Sequence, residues 1–258
     1  MKLNGDNGDN ARWLAELRTA GAFLTILPVA DGPGYRPGGL AAAAWCFPII
    51  GVLVGAVGGL VYGLAAWLGC DSWLAATLAV AALVIMTGGL HEDGLGDFAD
   101  AMGGANRERR LAIMHDSQAG NFAIVTLILL FAGRIGMLAD AGSPAQAGLA
   151  LLVAAAVSRA AVVGVMHALP PARVAGLSAS AGQTSARQAL AAIGIAALIS
   201  MLVLGFTAAL ICLGSAAVIT VIVAVLARRR LGGQTGDVLG AVQLMSEFGC
   251  LLVVGQLI

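Results

Sequence analysis

Three aspartates at helical spacing dominate residues 88–120, the longest polar stretch of the chain. Asp93, Asp97 and Asp100 are separated by four and then three residues, so on an α-helix they share one face. Like charges that are neighbours on a helix face repel each other, and no Lys or Arg occurs in the row before Arg107. The row therefore favours a hard divalent cation bound by carboxylate oxygens.

The alternative is an acidic face that is simply solvated, which is the usual role of a run of charges. Two glycines argue against it, because Gly94 and Gly96 each weaken a helix by about 1 kcal/mol relative to Ala. Solvation gives no reason to keep them. The opposite face carries Leu95, Phe98 and Met102, so the predicted helix is amphipathic.

A second polar cluster, residues 231–241, directly precedes the last apolar segment. Its glycines, with Thr235 and Asp237, could form a nest of backbone N–H groups that binds phosphate at a helix N-terminus. An ordinary helix start, with Thr235 or Asp237 as N-cap, explains the pattern equally well.

Charged residues inside apolar segments form the third group. Glu247 must face the interior of a helix bundle, because an unpaired carboxylate in hydrocarbon is costly. Gln243 lies one turn before it. Arg159 is the natural counter-charge, and Arg134 is a second, more peripheral one. The alternative for each arginine is a structural ion pair that holds helices in register.

Carboxylates that bind a metal, together with arginines and a glycine-rich backbone that bind phosphate, are what phosphoryl transfer requires. Catalysis of that reaction consists mostly of positioning and charge neutralisation.

Composition indicates the environment of these groups. Hydrophobic residues make up 59% of the chain and charged residues 11%, with a mean hydropathy of +0.92. Soluble domains carry about 25% charged residues. The sequence therefore predicts an all-α, polytopic membrane helix bundle that forms a single domain over residues 1–258. The formal net charge is zero, and nothing indicates a nucleic-acid partner.

About seven spans are predicted, since a bilayer requires about 20 apolar residues per helix. The apolar stretch 189–227 is too long for one crossing, so we divide it near Gly205 or Gly214. Residues 1–10 are expected to be a disordered tail and residues 11–27 an interfacial helix. Glycines at positions 51, 55, 59 and 63 predict a groove for close helix contact, unless they recur by chance. The spans are 40–68, 72–86, 120–138, 147–169, the two parts of 189–227, and 241–258.

Basic residues indicate the orientation of these spans. With the N-terminus inside, twelve of the fourteen Lys and Arg residues fall in cytoplasmic segments and none in external loops. The remaining two are Arg134 and Arg159. This orientation places the polar, glycine-rich segments at the cytoplasmic face.

Three stretches taken together resemble one family. They are residues 88–100 (Gly-Gly-Leu-His-x-Asp-Gly-Leu-x-Asp-x-x-Asp), 113–117 (Ile-Met-x-Asp-Ser) and 232–241 (Gly-Gly-Gln-Thr-Gly-Asp-Val-Leu-Gly-Ala). Further matches at 23–28, 158–159 and 172–177 extend the likeness over nearly the whole chain. The chain resembles the adenosylcobinamide-GDP ribazoletransferases, also called cobalamin (5′-phosphate) synthases.

The resemblance implies a Mg²⁺-dependent enzyme of the bacterial cytoplasmic (inner) membrane. Such an enzyme joins adenosylcobinamide-GDP to α-ribazole or its 5′-phosphate and releases GMP. Its product is adenosylcobalamin or its 5′-phosphate, at the final nucleotide-loop assembly stage of cobalamin biosynthesis.

The resemblance also assigns roles to residues of this chain. The expected metal ligands are Asp93, Asp97, Asp100 and Asp237. The expected catalytic residues are Asp93, Asp97, Asp237, Arg159 and His91. The expected substrate-binding residues are Asp116, Ser117, Arg173, Gly232, Gly233, Thr235, Gly236 and Glu247.

Two positions depart from the family pattern. Glu92 stands where an apolar residue is usual, so we do not count it as a ligand. Gln118 stands where an arginine is expected, so Arg107 or Arg110 would have to supply that charge. The rival interpretation is a polytopic transporter for an organic anion, since intramembrane charges and a polar mouth also suit a carrier.

Overall fold

Long runs of Ala, Leu, Ile and Val fold into α-helices, and Gly, Pro and Ser residues lie at most of the turns between them. A computed structural model describes residues 6–29, 39–116, 118–173 and 182–255. Its helices are α1 (Asp6–Leu24), α2 (Gly39–Ala43), α3 (Phe47–Trp67), α4 (Ser72–Thr87), α5 (Leu90–Met102), α6 (Arg107–Ile113), α7 (Asn121–Ala139), α8 (Pro144–Ala168), α9 (Ala186–Leu204), α10 (Phe206–Leu231) and α11 (Gly236–Val254).

The predicted all-α membrane bundle is confirmed. Within the described ranges, six helical segments are long and apolar enough to span a membrane: Gly39–Trp67, in which a short 3₁₀ turn joins α2 to α3, and α7, α8, α9, α10 and α11. The pair α4 and α5 passes the same test together, but it is bent by 90° at Gly88 and Gly89. Counting this pair as one broken span gives the seven predicted crossings.

The stretch 189–227 divides at Gly205, the first of the two predicted positions, whose φ of +79° favours glycine, whereas Gly214 lies inside α10. One boundary differs from the sequence expectation. The last helix begins at Gly236 rather than at residue 241, because Thr235 caps its N-terminus. The bounds of the remaining spans are close to those predicted.

The expected disordered tail is wrong for residues 6–10, which form the start of α1. A polar composition does not prevent a helix from extending beyond its apolar face, because intrinsic propensity is only a weak constraint. Residues 1–5 lie outside the described ranges.

The predicted glycine groove lies between α3 and α8. A Cβ added at Gly55 would be 2.6 Å from the backbone oxygen of Leu151, and one at Gly59 would be 2.9 Å from the Cα of Gly148. Gly51 is equally close to the backbone at Ala155. Gly63, the fourth member of the repeat, has no such neighbour within 4 Å among the residues that the structure describes. Three of the four glycines therefore permit backbone contact.

Most functional candidates lie at one end of the bundle, which we call the polar end. Here α5, α8 and α10 finish and α7 and α11 begin. The C-terminal part of α5, from Asp97 onward, lies at this level, because Asp100 binds the backbone at Gly120, just before α7.

We expect Gly55→Ala to destabilise the protein by about 1–3 kcal/mol, because the new methyl group meets backbone that has no room to move. Gly63→Ala is the matched control, and it should be neutral or slightly stabilising, since Ala is the better helix former. Thermal melting in detergent measures both variants. Equal melting temperatures would show that α3 and α8 do not depend on this contact.

Candidate active site

The polar end is organised by a close crossing of α5 and α11. A Cβ added at Gly94 would lie 3.0 Å from the Cα of Asp237, and one at Gly240 would lie 3.1 Å from the backbone oxygen of His91. Glycine at both positions lets the two backbones touch. The contact places Asp237 beside α5, between the turns that carry Asp93 and Asp97.

The other glycine of α5, Gly96, lies at a different helix contact. It faces α7, since its added Cβ would be 3.3 Å from the Cβ of Ala123. Both glycines within α5 therefore lie at helix contacts, which compensates for their low helix propensity.

The carboxylates of the crossing form a strongly acidic cluster. Asp93 is exposed, whereas Asp97 and Asp237 are half-buried. The negative charges of Asp93, Asp237 and Asp100 act on the half-buried Asp97, and the positive charge of Arg173 opposes them. The cluster therefore has an excess of negative charge that a bound cation would relieve.

The described residues do not by themselves complete a metal site. Among the described residues, no three His, Cys, Asp or Glu side chains are arranged to hold one ion. Mg²⁺ commonly uses one or two carboxylates together with substrate phosphates and water. The cluster of Asp93, Asp97 and Asp237 can supply the one or two carboxylates that this mode of binding requires.

Asp100 has a structural partner. Its Oδ2 accepts a hydrogen bond from the backbone N–H of Gly120 at 2.6 Å, and its Oδ1 accepts one from Ala123 at 3.0 Å. Asp100 thereby caps α7, whose own N-cap residue is Gly120 and has no side chain. Its predicted role as a metal ligand stays a prediction.

The loop before α11 is an ordinary helix start. Thr235 is the N-cap, its Oγ1 accepting the N–H of Val238 at 3.2 Å, and Asp237 lies in the first turn. Gly232 ends α10 with a φ of +84°. Gly236 begins α11.

Gly233 permits a close approach of two segments. An added Cβ would collide with the backbone oxygen of Pro170. Two backbone hydrogen bonds join these segments, from Gln234 N–H to Pro170 at 2.9 Å and from Ala172 N–H to Gln234 at 2.8 Å. Phosphate binding by the loop glycines stays a prediction.

Arg107, the first residue of α6, hydrogen-bonds to both of these segments. Its Nε donates to the backbone oxygen of Leu231 and its Nη2 to that of Ala172, both at 2.7 Å. Arg110, the other residue considered to compensate for Gln118, is buried. The expectation that one of them compensates for Gln118 stays a prediction.

Arg173 is the arginine that the fold brings to the cluster. Its Nη2 donates to the backbone oxygen of Leu111 at 2.7 Å, and its charge acts on both Asp97 and Asp237. The sequence pattern selected Arg173 as a substrate-binding residue but gave no reason to place it at the aspartates.

The loop after α6 contributes one residue that the sequence interpretation missed. His115 is exposed and lies within electrostatic reach of Asp237. It stands at a position that the motif leaves open to any residue. Asp116 is exposed and accepts the N–H of Gln118 at 3.1 Å, while Ser117 lies outside the described residues.

Comparison with known proteins decides the family. A family model described as cobalamin-5-phosphate synthase matches residues 16–255. The chain belongs to this family.

Several relatives are named adenosylcobinamide-GDP ribazoletransferase. The one from Bradyrhizobium diazoefficiens is 44% identical over 241 residues, which is 93% of each chain. The one from Mesorhizobium japonicum is 43% identical and covers 90% of this chain and 89% of its own. The one from Azorhizobium caulinodans is 39% identical and covers 94% of this chain and 96% of its own. No solved structure gives a significant match. The matches give no support to the transporter alternative.

Beneath the carboxylates, four charged side chains form a buried network. Arg134 Nη2 lies 2.5 Å from Glu247 Oε1, and Arg134 Nη1 lies 3.5 Å from Glu92 Oε1. Arg159 Nη1 lies 3.4 Å from Glu247 Oε2. The two positive and two negative charges balance, and all four residues are at most 9% exposed.

Neutral side chains extend this network, which joins four helices. Gln243 donates to Glu247 Oε2 at 2.6 Å and to Ser158 Oγ at 3.1 Å. Helix α5 contributes Glu92, α7 contributes Arg134, and α8 contributes Ser158 and Arg159. Helix α11 contributes Gln243 and Glu247. The predicted pairing of Arg159 with Glu247 is confirmed. Arg134 is not peripheral as expected, because it makes the shorter contact.

The depth of the network separates it from the aspartates. Glu247 lies ten residues beyond Asp237 on α11, or about 15 Å along the helix axis. That is about half of the ~30 Å hydrocarbon thickness. The predicted substrate-binding role of Glu247 and catalytic role of Arg159 stay predictions, and the contacts described here are with each other.

His91 is also turned away from the aspartates. It is 5% exposed and lines an apolar cleft between α1, α8 and α11. Its predicted catalytic role stays a prediction.

Arg134→Met should destabilise the protein by about 3–5 kcal/mol, because it leaves Glu92 and Glu247 with one buried counter-charge between them. Adding Glu92→Gln restores a neutral network, so the double variant should be more stable than the sum of the two single effects. Thermal melting of the wild type, both single variants and the double variant in detergent measures this coupling. Strictly additive effects would mean that the two residues do not interact.

Proposed function

We propose that the chain is an adenosylcobinamide-GDP ribazoletransferase. It joins adenosylcobinamide-GDP to α-ribazole or α-ribazole 5′-phosphate, releases GMP and forms adenosylcobalamin or its 5′-phosphate. Relatives with this name, 39–44% identical over about nine-tenths of the chain, support the proposal.

The observation that carries the proposal is the contact of Gly94 with Asp237. It gathers carboxylates from two distant parts of the sequence at one end of the bundle. In the reaction, a ribose hydroxyl oxygen forms a bond to the phosphorus that carries the cobinamide arm. The bond from that phosphorus to the oxygen of GMP breaks, GMP leaves with the electron pair, and the hydroxyl proton is lost.

Mg²⁺ is the proposed cofactor, held by carboxylates of the cluster of Asp93, Asp97 and Asp237 together with the diphosphate. When bound, it would neutralise charge that develops on the phosphoryl and leaving oxygens. The excess negative charge around Asp97 supports a cation here. Arg173, whose charge reaches the same carboxylates, is the proposed protein cation for the diphosphate.

The proposed location is the bacterial cytoplasmic membrane, with the site facing the cytoplasm. The polar end carries Arg107 and Arg173, and α10 finishes there with three arginines, Arg228–Arg230. A concentration of basic residues is typical of the cytoplasmic side.

Cysteine labelling tests this orientation. In a cysteine-free background, single cysteines at positions 109 and 229 should react only after the membrane is permeabilised. Cysteines at positions 71 and 140 should react with an impermeant reagent on intact cells. Labelling of position 109 from outside would overturn the proposed orientation.

Asparagine substitutions test the metal site. Asp93→Asn, Asp97→Asn and Asp237→Asn keep the side-chain shape but remove charge, so each protein should fold. Turnover should fall by about a hundredfold or more, because metal-assisted charge stabilisation is worth several kcal/mol. Higher Mg²⁺ should restore part of it. The measurement is GMP release as a function of Mg²⁺ concentration.

Asp140→Asn is the matched control, since Asp140 is an exposed carboxylate at the opposite end of α7. It should leave both the rate and the Mg²⁺ dependence unchanged. If the three cluster variants behaved like this control, the acidic row would be only a solvated face.

A further inference from the structure

A narrow apolar cleft opens beside the crossing of α5 and α11. Its walls come from the end of α1, from α2, and from the starts of α5 and α11, with α8 behind them. Gly236 and Gly240 belong both to the cleft and to the first turns of α11. A ligand bound in the cleft would therefore contact Gly236, the residue directly before Asp237. The apolar lining consists of Phe23, Leu24, Leu40, Leu90, Val162 and Met166, with Leu239.

His91 is the one polar side chain among the described lining residues. It is 5% exposed, and its ring nitrogens are not among the fully enclosed side-chain atoms that lack a hydrogen-bond partner in the described part of the chain. A nitrogen that opens into an apolar cleft can form a hydrogen bond with a ligand there. The imidazole therefore indicates a ligand that is mostly apolar but carries a hydrogen-bonding atom.

Phe23 indicates the shape of that ligand. Its ring is stacked on Phe47, with ring centroids 5.9 Å apart and an interplanar angle of 22°. A ring held in this way presents aromatic surface to the cleft, and aromatic pairs prefer offset-stacked or edge-to-face arrangements. A flat aromatic ring suits such a narrow space better than a branched group.

We propose that this cleft binds the benzimidazole base of α-ribazole, and that His91 recognises the free ring nitrogen of the base. The inference rests on the proposed function, which makes α-ribazole a substrate. The base is a flat, methylated, fused ring that is apolar except at one nitrogen, an acceptor. A neutral imidazole has one N–H to donate to it. The ribose would then extend from the cleft towards the carboxylate cluster.

Two other occupants fit less well. The guanine base of the second substrate carries several donors and acceptors, and an apolar lining would leave most of them without partners. A lipid acyl chain suits the lining but offers nothing to His91.

A matched pair of probes isolates the hydrogen bond. N-methylated dimethylbenzimidazole has the free ring nitrogen, and N-methylated dimethylindole has a carbon in its place. The wild-type protein in detergent should bind the benzimidazole about fivefold more tightly or better, as expected for one buried hydrogen bond. His91→Phe should lower that ratio to about one, and His91→Gln, which keeps a donor, should restore part of the preference.

A second variant tests whether the probe binds in this cleft. Leu90→Trp fills the cleft. Leu78→Trp on α4 is the control, because Leu78 has a similar exposure (41%, against 38% for Leu90) but does not line the cleft. Leu90→Trp should weaken binding of the benzimidazole probe at least about tenfold. It should also raise the KM for α-ribazole while leaving that for adenosylcobinamide-GDP unchanged. Leu78→Trp should change neither.

The outcomes separate the two proposals. If the wild type releases no GMP, the proposed function fails whatever the probes do. If GMP release is normal but both probes bind equally, or Leu90→Trp binds like the wild type, the base does not occupy this cleft. Equal binding of both probes with displacement by phospholipid would identify an acyl-chain site instead.

Discussion

The contact between the backbones of α5 and α11 is the constraint on which the polar end depends. Gly94 and Gly240 bring the helices so close that a single methyl group would intrude on the neighbouring backbone. The approach sets the position of Asp237 relative to Asp93 and Asp97. Carboxylates repel each other, so they do not gather without an external reason. Here the reason is helix packing, and the resulting excess of negative charge is available for a cation.

The buried network provides the second constraint. Membrane helices have little hydrophobic force to draw them together, because lipid tails are as apolar as the side chains. Glu92 and Glu247 instead bind Arg134 and Arg159 across four helices. Breaking such a pair leaves an uncompensated charge at low dielectric. Because Glu92 precedes Asp93 directly, the network also holds the start of the acidic helix.

The polar end therefore combines two environments within a few residues. One side of α5 presents carboxylates near Arg173, and the other side presents His91 to an apolar cleft. A helix separates them because residues two positions apart point in nearly opposite directions. This arrangement suits a reaction between a diphosphate and a nucleoside whose base is apolar.

The sequence by itself determined the membrane bundle, the acidic row and the family, since hydropathy and motifs depend on residue type and local spacing. It also anticipated the pairing of Arg159 with Glu247, because a charge in hydrocarbon needs a partner. Only the tertiary structure decided that Glu92 and Arg134 join that pair and that Arg107 binds backbone oxygens. It also decided that His91 lines an apolar cleft. These outcomes depend on which residues of distant segments meet, and helical periodicity fixes the face of a helix but not the neighbour it packs against.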